Sequence, residues 1–88
     1  MSEGQQTLLD AADLIEKKGW IQGANWRPGR GFCVFGAIDR VAKNDGPAFN
    51  DAVKRVYGLI EGHGIAKWND EPGRTKEEVL AMLRRAAE

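Results

Sequence analysis

Eighty-eight residues carrying 13 basic and 13 acidic side chains make a chain long enough for one hydrophobic core and too short for two. That balance removes the electrostatic case for duplex DNA or an anionic membrane as the default partner. Cys33 is the only cysteine, which excludes an intrachain disulfide and a cysteine-rich zinc site. Residues 1–6 lack the charged-then-apolar layout of a signal peptide, and no apolar run approaches the roughly 20 residues that span a bilayer. A soluble cytoplasmic protein is expected, with no membrane contact.

In chain order, residues 1–6 read as a flexible leader and residues 7–88 as a single helical domain. Thr7 is the expected N-cap of a first helix from about Leu8 to Lys18, in which Leu8, Ala11, Ala12 and Ile15 recur at helical spacing. Asp13 and Lys17 are placed to pair on its outer face, and Gly19 ends it. From Trp20 to Phe32 the periodicity breaks. The segment holds two Trp, two Arg and three Gly, and reads as a long ordered loop. A short β-hairpin with a return strand over 32–34 is the alternative.

A second helix is expected from Phe32 or Cys33 to about Lys43, with Val34, Ala37, Ile38 and Val41 inward and an Asp39–Lys43 pair outward. Gly36 inside it costs about 1 kcal/mol against Ala, which implies that another backbone packs closely there. Pro47 opens a third helix, where its missing N–H costs nothing. Phe49, Ala52, Val53, Val56 and Ile60 line its apolar face, and 61–64 form a flexible link. A fourth helix runs from Lys76 to about Ala87, entered through a capping box of Thr75 and Glu78.

The stretch from Trp68 to Val79 concentrates the most information. Trp68 plugs the core, Asn69 and Asp70 suit an Asx-turn, Pro72-Gly73 is a bend, and Arg74 is near enough in sequence to pair with Asp70. Turn chemistry explains each of these positions, so a rigid corner is preferred; the rival reading makes Asn69, Asp70 and Arg74 a binding or catalytic cluster. Trp68-Asn69-Asp70 followed by Gly73-Arg74-Thr75 and Glu78-Val79 resembles a small domain family found in actinobacteria, other bacteria and their phages. Gly19-Trp20 and the Cys33-x-x-Gly36-Ala37 run carry the same resemblance, with Val34 standing where the family commonly has Ala. The family has no assigned function, so the resemblance implies a domain and no activity.

Three constellations could carry chemistry. Cys33 at a helix start, followed by His63 and then Asn69 or Asp70, has the chain order of a papain-like thiol enzyme, although the chain is short of room for the sheet of such an enzyme. A buried structural thiol is the simpler reading. His63 between two glycines is a solvent-exposed loop residue; no metal and no cofactor is expected. Trp20, Trp26, Arg27 and Arg30 share one glycine-rich loop, a combination suited to protein hot spots and to single-stranded nucleic acid; the equal alternative is that both Trp rings lid the helical core while the arginines are solvated. Net neutrality favours a protein.

The expectation is therefore an all-α domain of four helices with a long Gly/Trp/Arg loop between the first two, and a core around Val34, Ile38, Val53, Val56, Val79 and Leu83. Its expected role is that of a non-enzymatic protein-binding or regulatory module, a monomer or weak homodimer, of the kind an accessory protein of phage origin would be. Trp26, Arg27, Arg30, Trp68, Asn69, Asp70 and Arg74 are the candidate binding residues. Cys33 and His63 are the catalytic alternative.

Overall fold

The computed structural model describes residues 2–88, and all structural statements concern these. Five helices and one two-stranded hairpin follow one another as α1 (Glu3–Lys18), β1 (Trp26–Arg27), β2 (Gly31–Phe32), α2 (Val34–Ala42), α3 (Gly46–Leu59), α4 (Ile65–Asn69) and α5 (Lys76–Ala86). The fold is mostly helical; the segment between α1 and α2 takes the hairpin alternative, and the short α4 is an addition to the four helices expected. A five-residue helix and two-residue strands carry too little periodicity to stand out in a sequence.

The helix α1 begins at Glu3, earlier than the Thr7 cap implied. Ser2 is the true N-cap, in a capping box with Gln5, and Thr7 lies buried inside the helix. Met1 lies outside the described residues; the rest of the expected leader is this cap and first turn. The hydroxyl of Ser2 also donates to Asp51 of α3 at 2.7 Å, and the Gly4 N–H donates to the same carboxylate oxygen at 3.0 Å. A long-range contact thus stabilises a helix start that looks too polar to order itself.

Leu8, Ala11, Ala12 and Ile15 are wholly buried, and α1 packs against α3, α2 and α5. Ala11 and Ala12 are small enough to let neighbouring helix axes approach closely. The shortest dimension of the molecule, 17 Å, corresponds to about two helix layers at a spacing of roughly 8–10 Å. Val34, Ile38, Val56, Val79 and Leu83 are fully buried as expected, whereas Val53 is only partly covered.

Caps set the remaining boundaries. Cys33 caps α2 through its thiol, Asp45 caps α3 by accepting from the Ala48 N–H, and Thr75 and Glu78 form the expected capping box on α5. The ion pairs differ from those the spacing suggested. Asp13–Lys17 and Asp39–Lys43 are not among them; the pairs formed are Arg55–Asp51, Arg74–Glu78 and Arg84–Glu16. Exposed lysines gain too little from an i,i+4 partner to be held in one geometry.

Candidate functional site

The segment between α1 and α2 is an ordered structure with a hairpin at its tip. Trp26 pairs with Phe32 and Arg27 with Gly31, so the return strand is Gly31–Phe32 and not 32–34. The Arg30 N–H donates to the Arg27 carbonyl at 3.0 Å, with Pro28 and Gly29 between them. Gly29 has a φ of 72°, as the third position of a type II turn requires, and Pro28 supplies the second. Further in, the Phe32 N–H donates to Gly19 and the Ile21 N–H to Phe32, at 3.1 and 3.2 Å. The Cys33 N–H donates to the Asn25 carbonyl at 3.1 Å. That same carbonyl lies where a Cβ on Gly36 would be, so the close backbone approach implied by a glycine inside α2 is real.

Asn69 ties this segment to the corner that follows α4. Its side chain is completely buried and uses both of its ends. The Oδ1 accepts from the Trp20 indole N–H at 2.7 Å and from the Val34 N–H, at the start of α2, at 3.0 Å. The Nδ2 donates to the Ile21 carbonyl and to the Asp70 carboxylate, both at 3.0 Å. Asp70 in turn accepts from the Gly23 N–H at 3.0 Å, and Gln22 donates to the carbonyls of Asn69 and Glu71. The Asn69 side chain therefore closes a long-range junction between loop, helix start and corner.

Arg74 does not pair with Asp70. Its Nε donates to the Trp68 carbonyl at 3.0 Å, its guanidinium lies 3.9 Å from the centre of the Trp68 ring, and its other end meets Glu78 at 3.6 Å. A half-buried aromatic face offers this cation more than an exposed carboxylate does, because the stack keeps the methylene stem covered. Trp68 and Arg74 line an open cleft of about 490 Å³ together with His63, Lys67 and Glu71.

Cys33 and His63 are not brought together. His63 is exposed on the turn before α4 and lines the Trp68 cleft, while Cys33 lines a separate small cleft with Asn25, Ala66 and Asp70. The Cys33 sulfur accepts from the Gly36 N–H at 3.3 Å and lies 3.6 Å from the Asn25 amide oxygen. Burial pushes its thiol pKa up; the backbone N–H groups of Gly36 and Phe35 oppose this, and the Asp70 charge adds to it. That is the reverse of the activated thiolate a nucleophile needs. Among the described residues no group of His, Cys, Asp and Glu could hold a metal ion.

What remains outward is the hairpin tip. Trp26 is 47% exposed, in contact with Phe32 at 6.4 Å between ring centres, and the Arg40 guanidinium of α2 lies 5.3 Å from the Trp26 ring and 5.0 Å from that of Phe32. A cleft of about 440 Å³ beside it is lined by Leu14, Lys17, Lys18, Arg27 and Arg40 as well as these rings. Arg27 also lines a neighbouring cleft with Arg30 and Gln22. Arg40, Lys17 and Lys18 belong to this surface although the loop sequence alone could not include them; they arrive from two helices.

These residues span the motifs that carried the family resemblance, from Gly19-Trp20 through Cys33 to Trp68-Asn69-Asp70. The family model for DUF6197, described as a family of unknown function, matches residues 1–88. The chain belongs to the DUF6197 family. Comparison with curated proteins and with solved structures yields no match. In this DUF6197 chain, the motif residue Asn69 joins the two signature regions by direct hydrogen bonds to Trp20 and Val34.

Proposed function

We propose that this DUF6197 protein is a non-enzymatic module, regulatory or accessory in role, that docks a partner protein on the Trp26–Arg30 hairpin. The observation that supports this reading is the exposure of Trp26 on a backbone already fixed by hydrogen bonds to α1, α2 and the corner. Leaving about half of this ring in water forgoes part of the roughly 1.5–3 kcal/mol that full burial of a large apolar side chain contributes, while a rigid presentation lowers the entropy cost of association. Tryptophan and arginine are the side chains most enriched where binding energy concentrates. Trp68 and Arg74 offer a second, half-buried contact, whereas Asn69 and Asp70 serve by holding the hairpin in place. The thiol-enzyme alternative at Cys33 and His63 finds no support in their separate positions or in the raised thiol pKa.

Photo-crosslinking tests the reading. Benzoylphenylalanine in place of Trp26, in the native cell, is expected to give a discrete protein adduct. The same group in place of Tyr57, the other exposed large aromatic, on α3, is expected to give none. Silence at position 26, or equal yields from both positions, overturns the assignment.

A further inference from the structure

The geometry points to the chemistry of that partner: an acidic protein segment with one aromatic or apolar anchor, lying across the Trp26 hairpin and the end of α1. This rests on the docking role proposed above and specifies what docks. Lys17, Lys18, Arg27, Arg30 and Arg40 line two clefts that share Arg27, and no acidic residue lines either one. Among the described residues none of the five has a carboxylate within ion-pair distance, although the chain carries as many acids as bases. Evenly scattered charge would not leave five cations together without a counter-charge. Leu14, Phe32 and Trp26 give the larger cleft an apolar floor beneath that rim. Carboxylates would meet the rim while one apolar side chain covers the floor, which is the arrangement of core and rim found in protein interfaces.

Charge elsewhere argues against a nucleic-acid strand. Without these five, eight basic residues stand against 13 acidic ones, so the rest of the surface is net negative. A uniformly charged polymer longer than the patch would run onto repulsive surface, whereas a short acidic segment ends where the patch ends. Single-strand binders also present several stacking rings, and here Trp26 is the one exposed tryptophan.

The test titrates ¹⁵N-labelled protein with a short peptide of alternating Asp and Glu around a central Phe, reading the Trp26 indole N–H and the amides of residues 29–32. Saturable shifts are expected there. Lys18→Glu and Arg40→Glu, both at exposed positions, should each weaken binding about tenfold, and Trp26→Ala by at least about as much. An Asn/Gln version of the peptide should leave the spectrum unchanged. Equal binding of that neutral peptide, no shifts at millimolar peptide, or insensitivity to both charge reversals overturns the inference. Tighter binding of oligothymidylate at the same amides overturns it in favour of nucleic acid. Shifts that follow protein concentration alone overturn it in favour of a second copy of the chain. Where the peptide fails but the crosslink from position 26 forms, docking stands and acidity falls; where both fail, the docking surface itself is wrong.

Discussion

Asn69 shows how one side chain can hold a functional surface without belonging to it. An amide has two donors and an acceptor with two lone pairs, and here both Nδ2 donors and both Oδ1 positions are engaged at 2.7–3.0 Å in a fully buried site. Asn69→Ala leaves the Trp20 indole, the Val34 N–H and the Ile21 carbonyl short of partners, at roughly 1–3 kcal/mol for a buried group left unsatisfied. A loss of about 3 kcal/mol is expected, and at roughly 4–8 °C per kcal/mol the melting temperature should fall by more than about 10 °C. Asp70→Ala removes an exposed acceptor and should cost about 1 kcal/mol. Thermal unfolding of the two variants beside the parent decides; an Asn69→Ala protein that melts like its parent removes the junction from the argument. Asn69 was legible in the sequence as a turn residue, but its partners lie up to 49 residues away, and spacing within the motif could not name them.

Among the elements, α2 and the hairpin are built against each other. Gly36 is a poor helix residue, worth about 1 kcal/mol less than Ala by propensity alone, so propensity predicts that Gly36→Ala stabilises. The Asn25 carbonyl occupies the space of the new methyl group, so we expect the opposite sign: a loss of roughly 1–3 kcal/mol as backbone is forced apart. Gly58, in α3, has nothing within 4 Å of a Cβ, and Gly58→Ala should gain about 0.5–1 kcal/mol. Chemical denaturation of both variants reads the two signs; a stabilised Gly36→Ala would mean that the hairpin does not press on α2. The glycine inside a helical pattern correctly signalled a close backbone. Which backbone it was depended on the path of the loop, and three glycines hid the strands that form part of it.

At the scale of the molecule, α1 is the helix that α2, α3 and α5 share, and its first turn is fastened to α3 through Asp51. The Ser2 hydroxyl, then the Gly4 N–H and the Arg55 charge, hold the Asp51 carboxyl below its ordinary value of 3.8. A carboxyl whose pKa is lowered by folding contributes stability above its unfolded pKa, and that contribution is lost as pH falls through the folded pKa. Asp51→Asn should therefore lower the melting temperature at neutral pH, and the gap to the parent should close below about pH 4. Melting curves from neutral to strongly acidic pH test this; a gap independent of pH would assign the effect to packing. No described helix is long and apolar enough to cross a membrane.

The sequence by itself determined what is local. Three long helices beyond α1, the Thr75–Glu78 capping box, most of the buried stripe and the Pro-Gly turn follow from periodicity and from side chains a few residues apart, whose geometry is set by the helix or turn they sit in. The anchoring of the α1 start on Asp51, the Asn69 junction and the basic face around Trp26 were decided only by the tertiary structure. Each joins residues from separate elements, and which elements become neighbours depends on how the whole set of apolar faces is buried at once.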